Sequence, residues 1–326
     1  MSRPPKLPCL ALILLCATLC ATAGLGCNDS PDAGAGGDGP PAVKGKNGHH
    51  AKASKKDRGE DGEAPRGQFK LGRLDHKLIP ESSGVVDSRK HPGVFWTHND
   101  SGNGPALFAF NREGRTLGTY TLNVRNNDWE AITADDEGHL YVGDTGNNEH
   151  RRDRVLVYRV DEPDPTDSGN GDDKGKQPEI LRVGATWRLS YPAAPFDAES
   201  LFLFKGKGYI ISKLLTGKPA GLYSFDLTNS DEVQTLAHVC DLPIRSPVTD
   251  AAISADGSRL AVMTVTGPYL FQIDGDVTAL SKATPKHQLY FDVKDMNMEG
   301  ICFVEGGVLA TTEQGQVLFF KDGDFR

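Results

Sequence analysis

From about residue 67 to the C-terminus, short runs of β-branched and aromatic residues alternate with Gly, Asp and Asn. They include "GVFWTHN", "ALFAF", "GTYTL", "HLYVGD", "RVLVYRV", "GYIISK", "AGLYSFD", "RLAVMTV", "PYLFQI", "QLYFDV", "VLATTE" and "QVLFF". Runs of this length and content, bounded by turn residues, predict strands, and no long stretch shows the 3.6-residue period of a helix. Five of the runs open on a carboxylate where a buried strand would begin. The stretches are "PESSGVV" (Glu81), "DWEAITA" (Glu130), "DAESLFL" (Glu199), "TDAAISA" (Asp250) and "MEGICFV" (Glu299).

The steps between these acids are 49, 69, 51 and 49 residues. The long step contains "DEPDPTDSGNGDDKGKQP" (161–178), an acidic Pro/Gly-rich insertion without core-forming residues; its 18 positions account for the excess. A period of about fifty residues holds four strands and their turns, the unit of a β-propeller. A second register agrees. Fourteen residues after four of the acids come Asp144, Lys213, Thr264 and Glu313, each closing the second strand of its unit. The first unit is lengthened by "SRKHPG", and its matching corner is Asn99–Asp100. The residue after each acid is Ser82, Ala131, Ser200, Ala251 or Gly300, all small, as inner strands crowding one axis require. The last unit has room for three strands, and "QFKLGRL" (68–74) is a spare strand ahead of the first acid. The expected fold is all-β: five four-stranded blades closed by this N-terminal strand, with six blades as the alternative. WD40 and kelch signatures are absent.

The rest of the chain adds a leader and a tether. Residues 1–23 read as an export signal, Arg3 and Lys6 preceding "LPCLALILLCATLCATA", too short and too near the N-terminus for a spanning helix. Two processing routes compete: cleavage after "ATA", or lipidation of Cys27 at "GLGC", which has Gly24 where a lipoprotein box usually has Leu. Residues 24–66 form a polar tether; from 28 onward it has no aromatic residue and almost nothing aliphatic, so it cannot offset the entropy of ordering. The propeller domain is expected over 67–326. Of six Cys only Cys240 and Cys302 lie in it, which excludes a disulfide framework and a cysteine metal motif. A formal net charge of −8 argues against nucleic-acid binding. The protein is expected outside the cytoplasm, secreted or lipid-anchored to the bacterial cell envelope. Its only membrane contact would be a lipid at Cys27, and a monomer is expected.

Because neighbouring strands are antiparallel, the start of each first strand and the end of each second strand share one face. Glu81, Glu130, Glu199, Asp250 and Glu299 should gather there near the axis as candidate metal ligands. Asn99, Asp100, Asn147, Asn148, Lys213 and Glu313 stand beside them as candidate ligand-binding residues, with Asp144 and His98 as candidate catalytic groups. Carboxylates around a narrow channel repel; either some are protonated or a cation neutralises them. An oxygen-only donor set suits Ca²⁺, Mg²⁺ or Mn²⁺. The same acids could instead serve as acceptors for backbone amides of the adjacent blade, and Lys213 as an internal counter-ion. "NDSGNG" (99–104) and "GDTGNN" (143–148) read as turns before they read as calcium-loop fragments. Arg151, Arg152 and Arg154 could meet an anionic ligand. No nucleophile elbow and no phosphate loop is present.

The segments "ESSGVVDSRKHPGVFWTHNDSG", "DWEAITADDEGHLYVGDTGNNEHRRDRVLVYRV", "FDAESLFLFKGKGYIISK" and "SPVTDAAISADGSRLAVMTVTGPYLF" resemble an uncharacterised family of exported bacterial propeller proteins, often lipoproteins. That resemblance implies the fold and the export, and carries no activity. More distantly the layout is similar to esterase-like phytase-related propellers and to regucalcin/gluconolactonase propellers. In the latter an inner-strand acid helps hold a catalytic divalent metal, a place comparable to Glu81; their remaining ligands do not align with this chain. Two functions follow as expectations. One is a module binding a small molecule, glycan or envelope protein on its acidic face around a divalent cation. The other is a metal-dependent hydrolase of phosphoester, ester or lactone substrates.

Overall fold

The structure, a computed structural model, describes residues 68–165, 178–290 and 297–326, all within one compact unit. The segments expected as signal (1–23) and tether (24–66), and residues 166–177 of the insertion, lie outside the described residues. Among the described residues no helix is long and apolar enough to cross a membrane.

The first strand, β1 (Gln68–Arg73), precedes the first acid. Blade one follows as β2 (Ser82–Asp87), β3 (Val94–Asn99), β4 (Ala106–Asn111) and β5 (Thr116–Leu122). Blade two is β6 (Ala131–Ala134), β7 (His139–Asp144) and β8 (Arg154–Asp161), followed after the excursion β9 (Glu179–Leu181) by β10 (Val183–Ser190). Blade three is β11 (Phe202–Phe204), β12 (Lys207–Ile211) and β13 (Ala220–Asp226), followed after β14 (Val233–Thr235) by β15 (Ala237–Leu242). Blade four is β16 (Val248–Ile253), β17 (Arg259–Thr264), β18 (Tyr269–Gln272) and β19 (Lys286–His287). Blade five is β20 (Met298–Val304), β21 (Gly307–Thr312) and β22 (Gln316–Lys321), and β1 pairs antiparallel with β22 as its fourth strand. The described strands thus form five sheets, and a sixth blade is not present among them. This closure leaves no open edge between the chain ends.

Burial follows position in the blade. The strands nearest the axis, such as β6 and β7, are sandwiched between neighbouring blades and are buried almost throughout, whereas the outer strands β5 and β10 alternate. Five apolar clusters fill the five blade junctions. Trp96 and Tyr120 of blade one meet Trp129, Ile132 and Leu140 of blade two. Phe95 and Phe110 of blade one meet Leu309 and Val317 of blade five, so the ring closes by packing as well as by pairing. Trp96, Trp129 and Trp187 are packing residues in these junctions; deleting such a ring costs about 3–5 kcal/mol. Inner strands approach closely: a Cβ on Gly300 would lie 2.8 Å from the backbone nitrogen of Val85, which explains the small residue after the acid.

Two short strands tie blades together. β9 joins the outer edge of blade one parallel to β5, and β14 joins blade two parallel to β10. The start of the insertion also has a structural role that its composition does not reveal. Asp161 ends β8, and buried Glu162 accepts hydrogen bonds from Trp96 Nε1 (2.7 Å) and from the Ser88 hydroxyl.

Candidate functional site

Backbone bonds join the entry of each inner strand to the exit of the second. Asp100 N donates to Glu81 O (3.0 Å), Gly146 N to Asp128 O (3.1 Å), Lys213 N to Asp197 O (2.7 Å) and Glu313 N to Asn297 O (2.9 Å). Side chains from both registers therefore share one face, as antiparallel pairing dictates.

On this face the residues closest to a cation site are Asp100, Asp128 and Glu130, each offering a carboxylate oxygen within 4.8 Å of the others. Asp100 comes from the loop after β3. Asp128 and Glu130, two positions apart on extended chain, project to the same side ahead of β6. Gly146 makes room for them: a Cβ there would lie 2.4 Å from Asp128 Oδ2 and 2.7 Å from Glu130 Oε1. Asn126 fixes the approach of the two blades, its amide donating to the carbonyls of Asn99 and Asp100 (3.0 Å each) while its Oδ1 accepts from Trp129 N (3.0 Å). Burial pushes Asp100 up to about 6, with Asp128 and Glu81 adding repulsion. Burial likewise raises Asp128 and takes Glu130 well above the carboxylate range, with Glu199, Asp100 and Asp128 reinforcing the latter shift.

Lys213 stands beside this triad, ion-paired with Glu199. It lies in the field of Glu199, Glu299, Glu130 and Asp197, one ammonium for four carboxylates, and their charges raise its pKa against burial. Burial lifts Glu199 to about 7 and Glu299 well above its usual range, in both cases against the pull of Lys213. Glu199 is 4% exposed, and its Oε2 has no hydrogen-bond partner among the described residues. Lys213 is thus the counter-ion foreseen from the sequence, and it is outnumbered.

The other expected residues divide differently. Asp250 is a structural tie, not a ligand of this cluster. One of its oxygens accepts from Ala251 N (2.8 Å), the other from Ile301 N (2.8 Å) and Val85 N (3.4 Å), joining blades four, five and one. Asp250→Ala would strand buried amides at about 1–3 kcal/mol each. The expected result is a melting temperature lower by at least about 6 °C with the response to divalent ions unchanged; loss of that response would return Asp250 to the metal site. Glu81 is exposed at the rim and accepts from Asn103 Nδ2 (2.6 Å). Glu313 is held by the Asn297 amide, and Thr264 donates to Gly267 O (2.8 Å) within its own turn.

Of the two expected bases, Asp144 is engaged by neighbours and His98 is closed off from solvent, with its Nε2 unpartnered among the described residues. Asp144 is fully buried, paired with Arg152 (2.8 Å) and accepting from Asn127 Nδ2 (2.6 Å) and Asp128 N (3.2 Å). His98 is fully buried edge-on to Trp129, its Nδ1 3.2 Å from the Asn99 carbonyl, and burial pushes its pKa down to about 4. Asn99 and Asn147 organise loops: Asn99 Nδ2 donates to Leu78 O (3.0 Å), and Asn147 bonds the backbone of Arg152 and the hydroxyl of Tyr191. Asn148 is exposed, Arg151 pairs with Glu149 (2.8 Å), and Arg154 is exposed at the start of β8.

Two residues of the site escaped the sequence reading: Asp128 and Asp197. Asp197 is buried, its Oδ1 accepting from Asn147 N (2.7 Å). The signal was in the repeat, because the position two before the acid reads Asp128, Asp197 and Asn297 in "DWE", "DAE" and "NME". Asp100 was foreseen as a ligand-binding residue; the structure places it with the carboxylates.

No family model matches the chain, and no curated protein matches it. Among solved structures it is similar to a putative oxidoreductase (glucose dehydrogenase) of Thermus thermophilus. That likeness has 11% identity and a TM-score of 0.43, covering 77% of this chain and 98% of that one. The five-bladed assignment rests on the strand pairing above and not on this likeness.

Proposed function

We propose that this propeller is a ligand-binding module whose polar face is organised by a hard divalent cation, Ca²⁺, Mg²⁺ or Mn²⁺, held by Asp100, Asp128 and Glu130. The observation that carries the reading is the convergence of these three carboxylates within 4.8 Å over the gap left by Gly146. Oxygen-only donors favour hard cations. The unpartnered Oε2 of buried Glu199 supports the same reading, since a buried carboxylate oxygen without a donor is costly unless something else neutralises it. A cation would relieve the repulsion that Lys213 only partly offsets.

The binding module is favoured over a metal-dependent hydrolase of phosphoester, ester or lactone substrates because Asp144 is engaged by Arg152 and Asn127 and His98 is fully buried away from solvent. The ligand would be a small molecule, a glycan or an envelope protein. The leader and the Cys27 box support display of the domain outside the cytoplasm, free or lipid-anchored. Elemental analysis of protein purified without chelator tests the cation, with Ca, Mg or Mn expected near one per chain. A panel of phosphomonoesters, esters and lactones with those metals tests the class. Absence of turnover is expected, and metal-dependent turnover would replace the module with the hydrolase.

A further inference from the structure

The same face carries a second recess that the acids do not line. Beyond Lys213, the turn between β12 and β13 and the neighbouring strands enclose a groove of about 260 Å³ in blade three. That is just below the roughly 300–1,000 Å³ of drug-sized ligand pockets, which suits one or two small rings. Its apolar side is an aromatic platform made by half-buried Tyr223, backed by buried Phe196. Phe196 and Tyr223 stack at 4.5 Å and 26°; Tyr191 packs edge-on against Phe196 (4.8 Å, 74°) and His238 edge-on against Tyr223 (5.3 Å, 68°). Leu214 and Pro219 continue this wall, and Leu215 beside them is 62% exposed.

The rim is polar and of mixed sign. Lys218 and Asp241 both line the groove. Asp241 accepts from His238 Nε2 at 2.9 Å and keeps 62% of its side chain exposed. Lys218 is exposed and has no ion-pair partner among the described residues. A strongly anionic ligand would meet Asp241, and a strongly cationic one Lys218. A neutral ring with an apolar C–H face and hydroxyls that both donate and accept satisfies the platform and the rim together. We infer that this groove is a saccharide subsite, with Tyr223 against the sugar ring and Lys218 and Asp241 on its hydroxyls. The inference rests on the reading of this face as ligand-binding but uses none of the cation ligands.

The test is calorimetric titration of the purified full chain with neutral hexoses, N-acetylhexosamines and their short oligomers, up to about 10 mM, with and without Ca²⁺. At least one saccharide should bind. Tyr223→Ala should weaken it at least tenfold, and so should Lys218→Ala combined with Asp241→Ala at two exposed positions that leave folding intact. The Lys218→Ala/Asp241→Ala variant should keep the divalent-ion response of wild type, so a failure of the cation site and a failure of this groove are read separately. The inference is overturned if no saccharide binds, if free amino acids bind in their place, or if the Lys218→Ala/Asp241→Ala variant binds as well as wild type.

Discussion

Replacing Lys213 by methionine is expected to lower the melting temperature at pH 8 by roughly 6–20 °C. Removing one partner of a buried pair leaves the other charge uncompensated, at about 3–5 kcal/mol, and a domain of this size shifts by about 2–4 °C per kcal/mol. Glu199 is that partner, and its pKa supplies the sign of the pH dependence. It lies near 7 in the fold against 4.5 in the unfolded chain. A raised carboxyl contributes stability that is fully present below about 4.5 and lost as pH rises through 7. Without Lys213, which holds that pKa down, Glu199 stays protonated to higher pH, so the deficit of the variant should shrink towards pH 5. Adding Glu199→Gln should recover most of the loss at pH 8. Melting curves at the two pH values check this; a deficit that is independent of pH and survives the second substitution would show that Lys213 contributes packing alone.

The second large effect is that of the cation. An ion at about a hundred times its dissociation constant adds about 2.7 kcal/mol to a fold that alone binds it, or roughly 5–11 °C in melting temperature. The shift should be larger at pH 8 than at pH 5.5, because protons compete for Asp100, with its pKa near 6. Asp128→Asn combined with Glu130→Gln should abolish the shift. In chelator the same variant should melt at or above wild type, since it removes two mutually repelling carboxylates. A buried structural pair would behave oppositely, its loss destabilising the protein with or without metal. Differential scanning fluorimetry with Ca²⁺, Mg²⁺ and Mn²⁺ separates the two.

The ring of blades was legible because a fifty-residue period with one acid and one small residue at fixed places is a property of repeats, independent of any side chain's rotamer. The closing strand "QFKLGRL" followed from counting three strands after Glu299, and β1 pairs with β22 accordingly. The roles of the acids were not legible in the same way. Glu130 and Asp250 occupy equivalent positions in the repeat, yet one faces Asp100 and Asp128 while the other turns into the junction between blades. That choice depends on the neighbouring strand and on where it leaves an amide without an acceptor, which spacing does not encode. Asp144 stood as a candidate catalytic group by its place on this face, but Arg152 pairs with it and absorbs its charge. Asp128 and Asp197 stand two positions before an acid of the repeat, where strand alternation puts them on the same side, a second acid that one acid per blade does not reveal.

If Asp100, Asp128 and Glu130 hold one hard cation, calorimetric titration of the chelator-treated full chain with Ca²⁺, Mg²⁺ and Mn²⁺ at pH 7 will show it. Saturable binding of at least one of these ions at one site per chain is expected, released protons accompanying it, with no binding in the Asp128→Asn/Glu130→Gln variant. No binding of any of the three ions by the wild type, or undiminished binding by the variant, would contradict it.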